Sequence, residues 1–200
     1  MTWIHTVLYE ESTGRLRTLY DSIKGPHETI DNIMKAHSLR PHSMVGHLAL
    51  YKNILHHSAN TLPQWLLECL GLYVSLMNGC EYCVDHHFEG MRRTLGNDER
   101  ASLIWDSLKN GNLAVAFDSK ERAVLHYAER LTRTPVEVEE NDVHLLRAAG
   151  FSDSEILEAN QVISYFAYAN RMVQGLGVTT EGDILGLSPS NQDPSILTHR

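Results

Sequence analysis

The sequence predicts an all-α protein with a single domain. Apolar residues recur at steps of three and four through most of the chain, and the alternation typical of strands is nearly absent. Clusters of Pro, Gly and Asn separate the periodic segments. With 200 residues, of which 42% are hydrophobic and 21% charged, the chain is long and apolar enough to form one core. We therefore expect a helical bundle over residues 1–178.

The first half of the chain is expected to form five helices. They cover residues 10–23, 30–37, 41–57 and 63–78, and the fifth starts near residue 80. Pro41 and Pro63 each suit the first turn of a helix, where the missing backbone N–H costs nothing. Asn78-Gly79 separates the last two helices, because glycine readily adopts the backbone conformation that ends a helix.

Four more helices are expected in the second half. They cover residues 98–108, 119–133, 141–149 and 153–173. Ser119 is the expected N-cap of the second of these, and Ser152 with Glu155 resembles a capping box that opens the last one. From Thr179 the composition turns to Gly, Ser, Pro, Asn and Asp, so residues 179–200 are expected to form a surface or partly disordered arm.

Charge and cysteine content limit the classes of partner. The chain has 17 basic and 25 acidic residues, a net charge of −8, and no cationic surplus with which to bind nucleic acid or a membrane surface. No apolar run is long enough for a membrane span, and acidic residues at positions 10 and 11 precede any signal-peptide core. Three cysteines are too few for a disulfide framework. We expect a cytoplasmic protein.

Glu68 is the only charged side chain between Lys52 and Glu81, and it lies in a helix that is apolar nearly all round. A carboxylate buried there must find a partner or take up a proton, because leaving it charged in apolar surroundings costs several kcal/mol. In the simpler interpretation it bends toward an arginine such as Arg92 and has only a structural role.

The following helix begins with Cys80, Cys83 and His87 at intervals of three and four residues. Ideal helix geometry separates consecutive members of this set by about 60° and about 40°, so all three share one face. The remaining polar side chains of the segment are expected to point elsewhere: Glu81, Tyr82, Asp85 and His86.

This arrangement predicts thiol chemistry without a cofactor. A helix N-terminus favours a thiolate, and His87 lies one turn beyond Cys83 and can accept its proton. Cys83 is therefore the predicted nucleophile. Cys80 is placed to attack a sulfenic acid on Cys83 and close a short disulfide, which makes it the predicted resolving thiol.

Three alternatives remain open from the residues alone. The two cysteines could bind zinc with His86 or His87 and Glu68, in a helical interaction module without turnover. They could form a disulfide reductase or redox sensor that does not turn over peroxide, or be inert apolar residues. A thioredoxin-type fold is excluded because a helix, and not a strand, precedes the pair.

Four further polar residues are expected to have a structural role or at most a weak functional one. Cys69 has no histidine on its own helix face and is expected to be structural. His47 and His57 are weak candidates, since both precede the Glu68 helix and could face the same interior. Asn170 is expected at a solvated helix end.

The spacing of these residues resembles a family signature. Glu68, eleven intervening residues, and then Cys80-x-x-Cys83-x-x-x-His87 resemble the motif of the AhpD-like alkylhydroperoxidases of the carboxymuconolactone decarboxylase superfamily. Segments such as SLRPHSMVGHLALY and NRMVQGLGV are similar to its peroxidase-related subgroup, so the resemblance covers about residues 30 to 178.

The resemblance implies an all-α fold, assembly into trimers or hexamers, and reduction of organic hydroperoxides or hydrogen peroxide. By position, Cys83 would be the peroxidatic thiol, Cys80 the resolving thiol, His87 the general base and Glu68 the proton-relay carboxylate. An external dithiol of unknown identity would reduce the disulfide. Tyr82 departs from the pattern, because the family has a relay histidine there, and this predicts a shorter relay.

Overall fold

The computed structural model describes residues 2–25 and 28–186, and within these ranges the regular elements are helices without strands. The predicted all-α class is confirmed. In chain order the helices are α1 (Gly14–Ile23), α2 (Asn32–Ala36), α3 (Pro41–Leu55), α4 (Gln64–Met77), α5 (Glu81–Leu95), α6 (Asp98–Asn110), α7 (Ser119–Arg133), α8 (Glu140–Ala148) and α9 (Asp153–Leu176). Short 3₁₀ turns at Leu113–Val115 and Pro135–Glu137 were not predicted.

Most helix boundaries follow the sequence signals. Ser152 and Glu155 form the predicted capping box of α9, in which each side chain accepts a hydrogen bond from the other residue's backbone N–H. The N-cap of α7 was predicted one residue too late, since Asp118 and Glu121 form the capping box there. Helix α1 begins later than predicted because Ser12 bonds back to the carbonyl oxygen of Tyr9 and closes a turn first.

Helix α4 is the centre of the main core. Its residues 66–75 are all buried, as its apolar sequence predicts, and α5, α7 and α9 pack around it. Gly71 allows α9 to approach closely: a Cβ built at this position would lie 2.2 Å from Cε2 of Phe166. The backbone of α9 therefore passes near the helix that carries Glu68.

A turn at Asn78-Gly79 joins α4 to α5 and places Cys80 at the N-cap of α5. Gly79 adopts a φ of 65°, which favours glycine. Cys80, Tyr82 and Cys83 belong to a small apolar cluster with Val173 and other residues near the end of α9. The two neighbouring sulfurs thus lie where α5 begins and α9 ends.

Beyond α9 the chain folds back over α2 and α5. Asn32 donates its side-chain amide to the carbonyl oxygens of Thr179 and Glu181, at 2.8 and 2.9 Å. The carboxylate of Asp183 accepts from the backbone N–H of Asn32 at 3.0 Å. Residues 179–186 of the expected arm are therefore attached to the bundle, and the part of that arm over residues 187–200 lies outside the described residues. No helix in the described ranges is long and apolar enough to cross a membrane.

Candidate active site

A cavity of about 130 Å³ lies among α3, α4, α5 and α9. Three of the four predicted site residues line it: Glu68, Cys83 and His87. Cys80 is not among the described lining residues and instead contacts the thiol of Cys83. The helical geometry thus brings the acid, the imidazole and one sulfur to a shared space, with the second sulfur next to the first.

The buried carboxylate of Glu68 pairs with His87. Glu68 is 3% exposed, and its Oε2 lies 2.6 Å from Nδ1 of His87. Gly90 leaves room for this carboxylate, because a Cβ there would lie 2.9 Å from Oε2. The alternative prediction, that Glu68 bends toward Arg92, is wrong because this arginine binds Glu89 and Asp98 instead.

The contact with Glu68 fixes how His87 can act. A carboxylate accepts the hydrogen bond, so Nδ1 of His87 carries the proton and Nε2 is left as a proton acceptor. Phe166 packs edge-on against the ring, with centroids 4.5 Å apart, and limits its rotation. An imidazole oriented by an acid on one nitrogen is the arrangement of a general base.

The two thiols lie at different depths in the helix. Cys80 is the N-cap residue of α5 and Cys83 lies one turn inside, and both are nearly fully buried. The hydrogen bond between them lowers the pKa of Cys80, and the same bond together with burial raises the pKa of Cys83 well above its usual range. The effect of the helix N-terminus on the thiol was predicted for Cys83, whereas Cys80 is the residue at that terminus.

Asn170 and Ser75 surround the thiols with polar groups. Asn170 is fully buried; it donates to Oγ of Ser75 at 3.0 Å and accepts from the side chain of Asn78 at 2.9 Å. The side chains of Asn170 and Ser75 also hydrogen-bond the thiol of Cys83 and oppose the rise in its pKa. The expectation of a solvated helix end was wrong because α9 continues to Leu176. The face of α9 that points into the core continues to Asn170, four residues after Phe166. This helical spacing is the sequence signal that indicates the burial of Asn170.

The two histidines left as weak candidates have different outcomes. His47 lines the cavity and hydrogen-bonds Tyr165 at 3.1 Å, and burial, with a contribution from His37, lowers its pKa to about 3. His57 is exposed and accepts from the backbone N–H of Ala59, so its candidacy was wrong.

Its neighbour His56 enters the site instead and was missed. Nε2 of His56 lies 3.8 Å from Oε1 of Glu68. This residue is the C-cap of α3, where the backbone leaves ideal helical geometry. A helical projection therefore could not place it.

A second face of α5 is also covered, contrary to the sequence prediction that Tyr82 and His86 point elsewhere. The hydroxyl of Tyr82 donates to Asp183 at 2.8 Å, and Nε2 of His86 lies 3.3 Å from the same carboxylate. Tyr82 and His86 are buried and line the cavity. The reason is that residues 179–186 fold over this face, which no local pattern indicates.

The surroundings of Cys69 and the arrangement of possible metal ligands test two of the alternatives, a structural cysteine and a zinc site. Cys69 is fully buried in the main core, and burial raises the pKa of its thiol, which agrees with a structural role. Across the described ranges, no group of three or more His, Cys, Asp and Glu side chains has the arrangement of a metal site. The zinc alternative thus has no ligand set among these residues.

Comparison with known proteins adds the fold family. No family model matches the sequence, and no curated protein sequence matches it. An uncharacterized peroxidase-related protein from Ralstonia eutropha JMP134, described as an alkylhydroperoxidase AhpD core, superposes with a TM-score of 0.78 at 20% identity, over 94% of this chain and 98% of that one. The chain has the AhpD-like fold.

Two further structures with this AhpD-like fold are informative. A peroxidase-related protein from Silicibacter sp. TM1040 has a TM-score of 0.73 at 22% identity, over 87% of this chain and 91% of its own. The debrominase Bmp8, in a cysteine-to-alanine variant bound to 2,3,4-tribromopyrrole, has a TM-score of 0.71 at 18% identity, over 88% and 91%. The resemblance drawn from the sequence is confirmed at the level of fold, and the fold carries more than one activity.

Proposed function

We propose that this protein is an enzyme that reduces hydroperoxides with a dithiol, cycling Cys80 and Cys83 between thiols and a disulfide. The observation that carries the proposal is the 2.6 Å contact between Glu68 and His87 in a cavity that Cys83 lines. The AhpD-like fold of peroxidase-related proteins agrees with it.

In the first step His87 takes the proton from Cys83. The raised pKa of Cys83 means that this thiol needs a base, and Glu68 holds the imidazole with Nε2 free to accept. The thiolate attacks the terminal oxygen of the hydroperoxide and the O–O bond breaks. The alkoxide leaves as an alcohol with the proton from His87, and Cys83 becomes a sulfenic acid.

In the second step Cys80 attacks the sulfur of the Cys83 sulfenic acid. Its pKa is lowered by the contact with Cys83, so a thiolate forms there more readily than on its neighbour. The hydroxyl leaves as water and the disulfide forms. An external dithiol must then return both sulfurs to the reduced state.

The proposal also includes assembly of the protein into trimers or hexamers.

Mass spectrometry of the peptide that contains both cysteines tests this cycle. One equivalent of cumene hydroperoxide is expected to convert the dithiol to a disulfide in the wild type. In Cys80→Ser the sulfenic acid on Cys83 is expected to persist and react with dimedone, whereas Cys83→Ser should give no adduct. Cys69→Ala serves as the matched control and should behave as the wild type.

The outcomes separate the alternatives. A dimedone adduct on Cys80 in Cys83→Ser would reverse the two roles. No peroxide-dependent oxidation in any variant would overturn the proposal. Reaction with a disulfide substrate but not with the hydroperoxide would favour a disulfide reductase or redox sensor.

Reductive dehalogenation is a second candidate, because the fold includes a debrominase bound to a halogenated pyrrole. The cavity that Cys83 lines, at about 130 Å³, is slightly smaller than the cavity of about 150 Å³ that accepts benzene, so it has room for the pyrrole ring and must widen for the bromine substituents. The same dithiol would supply two electrons: the carbon–bromine bond is replaced by carbon–hydrogen, bromide leaves, and the disulfide forms. Bromide release from 2,3,4-tribromopyrrole, compared with alcohol release from cumene hydroperoxide, distinguishes the two reactions.

A further inference from the structure

His56 faces Glu68 from the side opposite His87. Its Nε2 lies 3.8 Å from Oε1, whereas His87 contacts Oε2 of the same carboxylate. The side chain of His56 is 5% exposed, and its ring lies edge-on to Tyr51 with centroids 4.9 Å apart. The carboxylate therefore lies between two imidazoles, one from the C-terminal end of α3 and one from the middle of α5.

Gln64 determines which nitrogen of His56 carries the proton. Nε2 of Gln64 lies 2.7 Å from Nδ1 of His56. An amide nitrogen only donates, so Nδ1 accepts and the ring proton lies on Nε2, toward Glu68. Burial lowers the pKa of His56, while Glu68 acts in the opposite direction, and the ring is neutral.

A neutral ring with this tautomer presents an N–H dipole to the carboxylate. A buried carboxylate is stabilised in its charged form by dipoles directed at it, and at 3.8 Å the N–H of His56 acts as such a dipole, whereas His87 on the other side donates a hydrogen bond. The charged groups that act on His56 are Glu68 from α4, His87 from α5 and Lys52 from α3.

We propose that His56 is a positioning residue of the proton relay, whose Nε2–H, set by Gln64, holds the side chain of Glu68 facing His87. This inference rests on the proposed thiol function. It also gives a physical role to the end of α3: this segment supplies a second imidazole to a relay in which Tyr82, next to Cys83, contributes none. The relay is thus completed from a distant part of the sequence.

Two measurements test the inference without peroxide turnover. Imidazole ¹⁵N chemical shifts report the tautomer, and we expect the Nε2–H form for His56 in the wild type and a mixture in Gln64→Leu. The rate of alkylation of Cys83 by iodoacetamide, measured against pH in a Cys80→Ser background, reports the relay. His56→Leu is expected to move the midpoint of this profile up by about one pH unit, which is about a tenfold slower reaction near neutrality.

Two variants separate this role from a structural one. His56→Gln keeps an N–H near the position of Nε2 and is expected to restore most of the wild-type profile. His57→Leu, the exposed neighbour, is the matched control and should leave the profile unchanged. Three results would each overturn the inference. The first is an Nδ1–H tautomer of His56 in the wild type, and the second is a wild-type alkylation profile in folded His56→Leu. The third is an alkylation profile in folded His56→Gln that is displaced as far as in His56→Leu. Failure of the proposed function shows separately, as absence of peroxide-dependent disulfide in the wild type.

Discussion

Gly90 determines how closely α5 approaches the buried carboxylate. The missing side chain leaves the space into which the carboxylate of Glu68 extends, three residues after His87 on the same helix. Glycine costs helix stability relative to alanine by about 1 kcal/mol. At this position the cost is offset by the contact between Glu68 and His87.

Gly90→Ala is expected to lower the rate of peroxide-dependent disulfide formation by at least about tenfold, because the new Cβ displaces the carboxylate from His87. Stability should stay within about 1 kcal/mol of the wild type, since the contacting atoms belong to the end of a flexible side chain. Stopped-flow oxidation and urea unfolding measure the two quantities. Gly46→Ala, in a helix with no atom within 4 Å of the new Cβ, is the control and should change only stability. An unchanged rate in Gly90→Ala would contradict this account.

Asn170 connects the thiols to the rest of the bundle. Asn170→Ala leaves the buried Oγ of Ser75 and the side chain of Asn78 without this partner, so we expect a loss of about 1–3 kcal/mol in stability. It should also raise the pH at which the thiol pair loses its first proton, since the amide lowers the pKa of Cys80. Thiolate absorbance at 240 nm against pH measures the second effect. Gln161→Ala, an exposed change in the same helix, should change neither quantity detectably.

At the scale of elements, α4 and α9 fit together around Gly71. Gly71→Ala places a Cβ against the ring of Phe166, which is held between helices and cannot move cheaply. We expect a loss of at least about 2 kcal/mol by urea unfolding, as for other overpacked cores. Since Phe166 also packs against His87, the rate of disulfide formation should fall as well. Gly46→Ala again provides the comparison, and equal stabilities of the two variants would refute the close approach.

Asp31, the residue before α2, makes the stability of the protein depend on pH. Burial raises the pKa of Asp31 to about 6, with the nearby Asp183 acting in the same direction and His86, Lys35 and His87 against it. A raised carboxyl pKa means that the contribution of this group to stability is fully present below about pH 4 and is lost as pH rises through about 6.

Asp31→Asn should therefore be more stable than the wild type at pH 7.5, by about 2–3 kcal/mol, and nearly equal to it at pH 4. Urea unfolding at both values measures the difference. Asp85→Asn, an exposed change on α5, should show no such dependence. A stability difference in Asp31→Asn that stays the same at both values would show that the carboxyl group does not titrate as described.

At the scale of the whole molecule, the sequence predicted what depends on local periodicity. The helices, the buried position of Glu68 and the common direction of Cys83 and His87 toward the cavity all follow from spacing along one or two neighbouring helices. His56 and Asn170 reach the site from α3 and α9, where their placement depends on helix ends and packing across the bundle. The inward face of α9 indicates that Asn170 is buried but not which groups it contacts, and no pattern within α3 places His56.

The cover formed by residues 179–186 was missed for a similar reason. Its composition is that of a loop, and it is attached by backbone carbonyls and by Asp183, which bind Asn32 and Tyr82 far away in the sequence. Such contacts leave no periodic signal. They decide nonetheless which side chains of α5 meet solvent.

The burial of both sulfurs has a consequence for the return half of the proposed cycle. Cys80 is 1% exposed and Cys83 3%, so an oxidised pair is out of reach of the active site of a protein donor until the structure opens locally. The rate at which a protein donor reduces the disulfide is then limited by the rate of this local opening. We expect the rate of re-reduction by a protein dithiol to level off as its concentration rises, whereas dithiothreitol can enter the cavity that Cys83 lines and should show no such ceiling. A rate that keeps rising with the protein dithiol would show that this donor reaches the disulfide without the opening.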